Sequence, residues 1–465
     1  MNYDHLKRPL LLVIFGITGD LAQRKLLPAL YQLLKAGDLP EELRIVGISR
    51  RDVTKDDVYT KLRSFVGESG YSSEFEKILK EHTEMVQMDL LNPDAYRELL
   101  EHLQSLESHY EHEVSRLYYL SIPSQAFTPV IRLLGQTGHS RPLACGEDPR
   151  LLIEKPFGYD LLSARELVRD LGAYFDEDQI YRIDHYVAKE TVQNILIFRF
   201  QNPLFESIWN SKHIDHISVV AREQIDIEGR VDFYEQTGAL RDFVQNHLLQ
   251  LLAITTMARP RQLESDAIHA SKLELLKAIQ PIRPAEVDTR AIRAQYEGYR
   301  TEVKNPSSSV ETYAHLTLAI DNDQWRGVPI VLETGKALDA KSTEISICFR
   351  QPDDIPTEQN RLVFRIQPTE GITLRLQTKR PGIKSITGNA DMDFDYAKSF
   401  NQRPAEAYER VIVDAIRGDQ TLFASAPEVI RSWEIIEYVL QRWMRNGEGL
   451  LSYAKGSTGP VDNSE

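Results

Sequence analysis

The chain has 465 residues, too many for one compact core, so two or more domains are expected. Hydrophobic residues at 42% and charged residues at 27% fit an ordinary globular protein and leave no composition for a fibre or a disordered chain. The 69 acidic and 55 basic side chains give a formal charge of −14, which disfavours nucleic acid and anionic membrane as partners and requires a local basic cluster for any anionic ligand.

No apolar run approaches the roughly 20 residues of a membrane span, and the N-terminus MNYDHLKRPL lacks the apolar core of a signal peptide. Two cysteines, Cys145 and Cys348, are too few for a disulfide framework, so a cytoplasmic setting is expected.

The first part of the chain alternates short apolar runs with amphipathic stretches. Strands are predicted at LLLVIFG (10–16), LRIVGIS (43–49), RLYYLSI (116–122), RLLIEKP (150–156) and QIYRID (179–184). Helices are predicted at DLAQRKLLPALYQLLKAG, DDVYTKLRSFV and PDAYRELLEHLQSLESHY, the last with Leu99, Leu100, Leu103 and Leu106 at helical spacing. Alternating β and α units imply a Rossmann-type α/β domain with a doubly wound parallel sheet. After about Asp184 strands follow one another directly, in HISVVARE, ETYAHLTLAI, VPIVLETG, EISICFRQ, RLVFRIQP and GITLRLQT. These predict an α+β region built on a large, mainly antiparallel sheet, with helices returning in EAYERVIVDAIRG and PEVIRSWEIIEYVLQRWM. The expected division is a Rossmann-type domain over 1–183, a domain built on the large sheet over 184–450, and a disordered tail over 451–465.

The run VIFGITGDLAQRK joins the first strand to the first helix. Its G-x-x-G-D-L frame, Gly16, Thr18, Gly19, Asp20 and Leu21, suits a turn whose backbone N–H groups meet a pyrophosphate, with Thr18 and Gln23 as polar additions. The second strand ends GISRRD, which puts Arg50 and Arg51 where an arginine accepts the 2′-phosphate of NADP. Asp52 is a candidate helix N-cap there, and NAD remains a weaker alternative. Lys155 in IEKPFG lies at the carboxyl edge of the parallel sheet, and Pro156 fixes a turn compatible with a cis bond. The segment YRIDHYVAKE gathers Asp184, His185, Tyr186 and Lys189, and RDFVQNHLLQ places Asp242 and His247 at the head of an apolar helix. Taken singly, each has an ordinary reading as a cap, a surface lysine or a packed ring.

GITGDLAQRK, IEKPFG, DQIYRIDHYVAKETVQNI, TGALRDFVQNHLLQLL, GVPIVLETGKALDAK and AYERVIVDAIRGD, in this order, resemble glucose-6-phosphate dehydrogenases. The resemblance implies oxidation of glucose 6-phosphate at C1 with NADP and no metal. It assigns the base to His247 and the orienting carboxylate to Asp184. His185, Tyr186, Lys189 and Lys341 would hold the phosphate, Glu223, Asp242, Lys336 and Gln367 the sugar hydroxyls, and Lys155 would bridge sugar and cofactor. It also implies a homodimer or homotetramer, with 1–183 as the NADP-binding domain and 184–450 as the substrate-binding and oligomerisation domain. Ala188, Asp232, Val310 and the Ala258–Arg259–Pro260 segment depart from the family pattern. Two other readings are a dehydrogenase of another hexose or hexose phosphate, in particular an unphosphorylated hexose, and a catalytically silent NADP-binding regulatory homologue. The phosphate cluster argues against the first, and retention of His247 with Asp184 against the second.

Overall fold

The stretch LLLVIF, β1 (Leu10–Phe15), is apolar at every position, as a strand covered on both faces requires. In the computed structural model all six residues are buried, and each such Leu or Ile contributes about 1.5–3 kcal/mol of hydrophobic stabilisation. The structure describes residues 4–67, 70–110, 114–143, 147–351, 358–400, 403–445 and 447–460; Cys145 lies outside them.

β1 is flanked in parallel by β2 (Leu43–Ser49) and, on its other side, by β4 (Ser115–Leu120). With β3 (Thr83–Gln87), β5 (Arg150–Ile153) and β6 (Ile180–Arg182) these form a six-stranded parallel sheet in the order β3-β2-β1-β4-β5-β6. This is the expected Rossmann arrangement, whose strand order reverses beside β1. β3 is absent from the sequence prediction. The predicted helix DDVYTKLRSFV is two short helices, Lys55–Tyr59 and Leu62–Val66. The first is capped by Thr54, not by Asp52: Thr54 Oγ1 accepts the Asp57 N–H at 3.2 Å while Asp57 accepts the Thr54 N–H at 2.9 Å.

The described residues fall into two compact units, neither contiguous in sequence. The first comprises Met1–Gly158, Leu162–Ala188 and Ala405–Ala426; the second comprises Tyr159–Leu161, Lys189–Pro404 and Pro427–Glu465. The helix Ala407–Arg417, which the sequence division groups with the second domain, belongs to the first unit. There Arg150 donates to the Ala415 and Ile416 carbonyls at 3.2 and 2.9 Å, satisfying the helix end.

The second unit contains a ten-stranded sheet. Its strands are β7 (Ile214–Arg222), β8 (Ile279–Gln280), β9 (Ala291–Tyr296), β10 (Tyr313–Ile320), β11 (Ile330–Gly335), β12 (Ser342–Phe349), β13 (Arg361–Gln367), β14 (Gly371–Lys379), β15 (Thr387–Asp395) and β16 (Leu450–Tyr453). The order is β15-β14-β13-β12-β7-β11-β10-β9-β16, with β8 paired to β10. Most pairs are antiparallel; β7 with β11 and β9 with β16 are parallel, so the sheet is mixed. β16 corrects the expected tail: part of 451–465 is a sheet strand, because the Tyr453 ring is buried with Tyr296 and Tyr313 and its hydroxyl donates to the Lys336 carbonyl at 2.7 Å. Positions 461–465 lie outside the described residues.

Three helices of the second unit meet at a buried ionic cluster. Glu428 is ion-paired with Lys272 Nζ at 2.8 Å and lies 2.7 Å from His269 Nδ1, and Lys272 donates to Gln250 at 3.2 Å. Burial alone would raise the Glu428 carboxyl, but the charge of Lys272 and the bond to His269 outweigh it and bring it down to about 2. Glu428→Gln is expected to cost about 3–5 kcal/mol, since Lys272 is left buried without its counter-charge. A carboxyl depressed on folding stabilises fully above its unfolded value of about 4.3 and loses that contribution as pH falls toward its folded value. Urea unfolding should therefore show a gap between wild type and variant that is constant above about pH 5 and narrows between about pH 4.3 and 2.

Candidate active site

In the first unit the candidate residues sit at the carboxyl ends of the parallel strands. Gly16 follows β1 with φ +79°, and a Cβ there would lie 2.3 Å from the Ser121 carbonyl oxygen, so the turn accepts only glycine. Gly19 N–H donates to Gly16 O at 2.8 Å and Gln23 N–H to Gly19 O at 3.1 Å, closing the turn onto the helix that opens at Asp20. The first helical turn leaves N–H groups outside the intrahelical ladder, pointing where an anion binds. This tight glycine cradle fits a dinucleotide pyrophosphate. The Gln23 amide instead donates to the Ile17 carbonyl at 3.2 Å, and Asp20 pairs with Arg24 at 2.7 Å. Arg50 is exposed immediately beyond β2.

Lys155 follows β5, with a cis bond to Pro156. Behind it stands Glu154, which the sequence reading passed over. This buried carboxylate accepts the Tyr119 hydroxyl at 2.6 Å. Burial pushes it up to about 7, against the opposing hydrogen bonds of Tyr119 and Tyr408 and the charge of Lys155. Asp184 is 4% exposed and accepts the Tyr186 N–H at 2.9 Å, turning the chain so that His185 and Tyr186 stand side by side, ring centres 4.9 Å apart. His185 also lies nearly parallel to the Tyr408 ring at 6.5 Å. Ala188 raises no strain: the described non-glycine residues with positive φ are Glu228, Lys304 and Ala337.

In the second unit, strand register does the gathering. Gln367 ends β13, Lys341 precedes β12, Glu223 follows β7 and Lys336 follows β11. Thr343 pairs with Gln367, Ser342 with Arg222, and Arg222 with Gly335, so these four residues stand in a row along one end of four adjacent strands. Lys336 is 2% exposed, ion-paired with Glu223, and lies over the Tyr234 and Phe243 rings at 5.6 and 5.8 Å. Gln367 donates to Thr343 Oγ1 at 3.0 Å. Lys189, just before the helix Glu190–Gln201, faces Glu370 at 3.9 Å, and Glu370 accepts the Thr191 N–H at 2.7 Å.

Asp242 and His247 lie on a wide helix, Leu240–Leu248, that packs on β7, β10 and β11 and passes into the α-helix Leu249–Thr256. At 3.6 residues per turn, residues five apart would stand roughly 140° from each other. A helix closed by i→i+5 hydrogen bonds brings residues five apart nearer to one face than an α-helix does. His247 is 1% exposed, with its ring edge-on to Phe243 at 5.5 Å.

The wide helix starts at a backbone lock. Gly238 has φ +62° and ψ −179°, a region open essentially to glycine alone. Beside it the buried Glu311 carboxylate accepts the Leu240 N–H at 2.9 Å, and its carbonyl accepts the Ala239 N–H at 2.9 Å. Burial pushes the Glu311 carboxyl up against that bond. Neither Glu311 nor Gly238 was singled out in the sequence; the signals were the glycine of TGALRD and an acidic residue inside the apolar stretch VETYAHL. A Cβ at 238 would lie 2.4 Å from Glu311 Oε1. Gly238→Ala should thus lose about 1–3 kcal/mol in denaturant unfolding and lower turnover as the helix shifts. Native stability together with native turnover would remove the lock from the account.

Residues 13–194 match the family model described as glucose-6-phosphate dehydrogenase, NAD binding domain, and residues 196–465 the model for its C-terminal domain. The glucose-6-phosphate 1-dehydrogenase of Chlamydia muridarum is 40% identical across 98% of this chain and 95% of its own, and that of Bacillus subtilis 36% identical across 98% and 96%. A solved glucose-6-phosphate dehydrogenase in complex with its substrate glucose-6-phosphate superposes with a TM-score of 0.89 at 32% identity, covering 98% of this chain and 96% of the other. Levoglucosan dehydrogenase, at 0.53 and 10% identity, shares the fold alone. The chain belongs to the glucose-6-phosphate dehydrogenase family.

Proposed function

We propose that the chain oxidises β-D-glucose 6-phosphate at C1 to 6-phospho-D-glucono-1,5-lactone, with NADP as acceptor, the first oxidative step of the pentose phosphate pathway. The observation that supports this most is the row Gln367, Lys341, Glu223 and Lys336 in the same unit as the wide helix bearing Asp242 and His247. A polyhydroxylated ring needs such alternating donors and acceptors, and one imidazole must serve as base.

His247 takes the proton from the anomeric hydroxyl as the C1–H bond breaks and the C1 carbonyl forms; Asp184 is its carboxylate partner. When bound, the nicotinamide ring accepts the hydride from C1. Lys336, fixed by Glu223 and two aromatic rings, donates to a ring hydroxyl, with Asp242 and Gln367 as further polar contacts. Lys189, Lys341, His185 and Tyr186 bind the phosphate, concentrating positive charge locally in a protein of net charge −14. Gly16, Thr18, Gly19, Asp20 and Leu21 seat the pyrophosphate, Arg50 favours the 2′-phosphate of NADP over NAD, and Lys155 bridges cofactor and sugar.

Among the described residues no helix is long and apolar enough to cross a membrane. A cytoplasmic homodimer or homotetramer completes the proposal; Met392 and Ile386, 65% and 50% exposed on and beside β15, support an association through that end of the sheet.

His247→Asn is expected to lower kcat by about 100- to 10,000-fold with KM for glucose 6-phosphate little changed, followed as NADPH absorbance. Turnover near wild type would reassign the base. In the same assay Lys189→Ala should raise KM by roughly 10- to 100-fold and leave kcat near native, and an unchanged KM would move the phosphate elsewhere.

A further inference from the structure

The helix Leu249–Thr256, continuous with the one carrying His247, ends in a cap made by three side chains of the second unit. Arg199 donates through Nη1 to the Ile254 carbonyl at 3.0 Å and through Nη2 to that of Met257 at 2.7 Å. The Trp209 indole donates to Thr255 O at 2.8 Å and that of Trp325 to Thr256 O at 2.7 Å. These are carbonyls the helix leaves without intrahelical donors, at its negative end.

The cap accounts for two nitrogens of the guanidinium, but not for Nε or for the full charge. A helix end offers only about half a negative charge. Arg199 is 5% exposed, and its Nε has no hydrogen-bond partner among the described residues. The rings of Phe200 and Trp209 lie 4.5 and 5.3 Å from it, and the Glu206 carboxylate acts on its charge while pairing with Arg259. Burying a cation without a counter-ion is costly, and here burial pushes the guanidinium down to about 9.

Beside this charge lies a cavity of about 280 Å³. That is just below the range for drug-sized ligands, roughly 300–1,000 Å³, and so suits a smaller molecule. Its walls include Phe200, Phe205 and Trp209, and Arg199, Arg259 and Glu206 supply its charge. Arg259 and Glu206 pair with each other at 2.6 Å, which leaves the cavity one positive charge, that of Arg199. A neutral occupant would leave this charge unmatched, and a phosphate dianion would exceed it. The aromatic walls suit an apolar body.

We propose that this cavity is a binding site for a small organic monocarboxylate, with its charge matched to Arg199 and its apolar part against Phe200, Phe205 and Trp209.

The test uses the full chain and benzoate as probe, read by tryptophan fluorescence, with benzamide and inorganic phosphate titrated in parallel. Benzoate is expected to saturate below about 10 mM, while benzamide and phosphate do not. Arg199 variants risk unfolding the cap, so the variants are the surface change Arg259→Glu and the wall change Phe205→Ala. Arg259→Glu should weaken benzoate at least about tenfold by adding like charge at the site, and Phe205→Ala should weaken it by a smaller factor. Both should keep native turnover with glucose 6-phosphate. Absence of saturation, equal binding of benzamide, binding of phosphate instead, or benzoate affinity untouched in Arg259→Glu would each overturn the proposal.

Discussion

The candidate chemistry depends on holding a helix open to a wider turn than it would choose. Hydrogen-bond geometry is poorer in wide turns, and they persist only where their surroundings hold them. Here both ends are held. At the start, Gly238 takes a conformation closed to other residues while Glu311 receives two N–H groups. At the far end of the regular helix Leu249–Thr256 that continues it, Arg199, Trp209 and Trp325 take the last carbonyls. Between these fixed points the wide turn carries Asp242 and His247, and β7, β10 and β11 back it.

The second organising element is register. Because β7 and β11 run parallel and β12 and β13 antiparallel to their neighbours, a turn after one strand lies beside the start of the next. Residues more than a hundred positions apart thereby share a line, with Lys336 held by Glu223 and two aromatic faces. Pairing with Glu223 lets the sheet end bury the Lys336 ammonium without leaving its charge unmatched.

Much of the fold was legible because buried strands advertise themselves. LLLVIF and LRIVGIS read as apolar runs, and RLVFRIQ alternates as a strand with one buried face should. β3 and β15 escaped for the opposite reason: TEMVQ is half-polar, and TGNADMDFD is largely exposed and shows no apolar alternation. The helix cap moved from Asp52 to Thr54 because the reciprocal bond to Asp57 depends on a three-residue spacing that a lone acid lacks. The motifs of the candidate site fall at strand ends and on one helix, where their apolar flanks put them. Their supports were not legible: Glu154 and Glu311 are acids, which read as solvated until burial and their donors are seen. Nor can apolar periodicity separate a wide helix from an ordinary one over nine residues.

The most direct test of the account is a single-turnover measurement of NADPH formation by the intact enzyme at saturating glucose 6-phosphate, repeated across pH. If a neutral imidazole removes the anomeric proton, the rate constant falls on the acid side with a limiting tenfold loss per pH unit, and the sugar deuterated at C1 reacts more slowly throughout. A rate constant flat across that acid limb, under the same isotope sensitivity, would contradict His247 as the base.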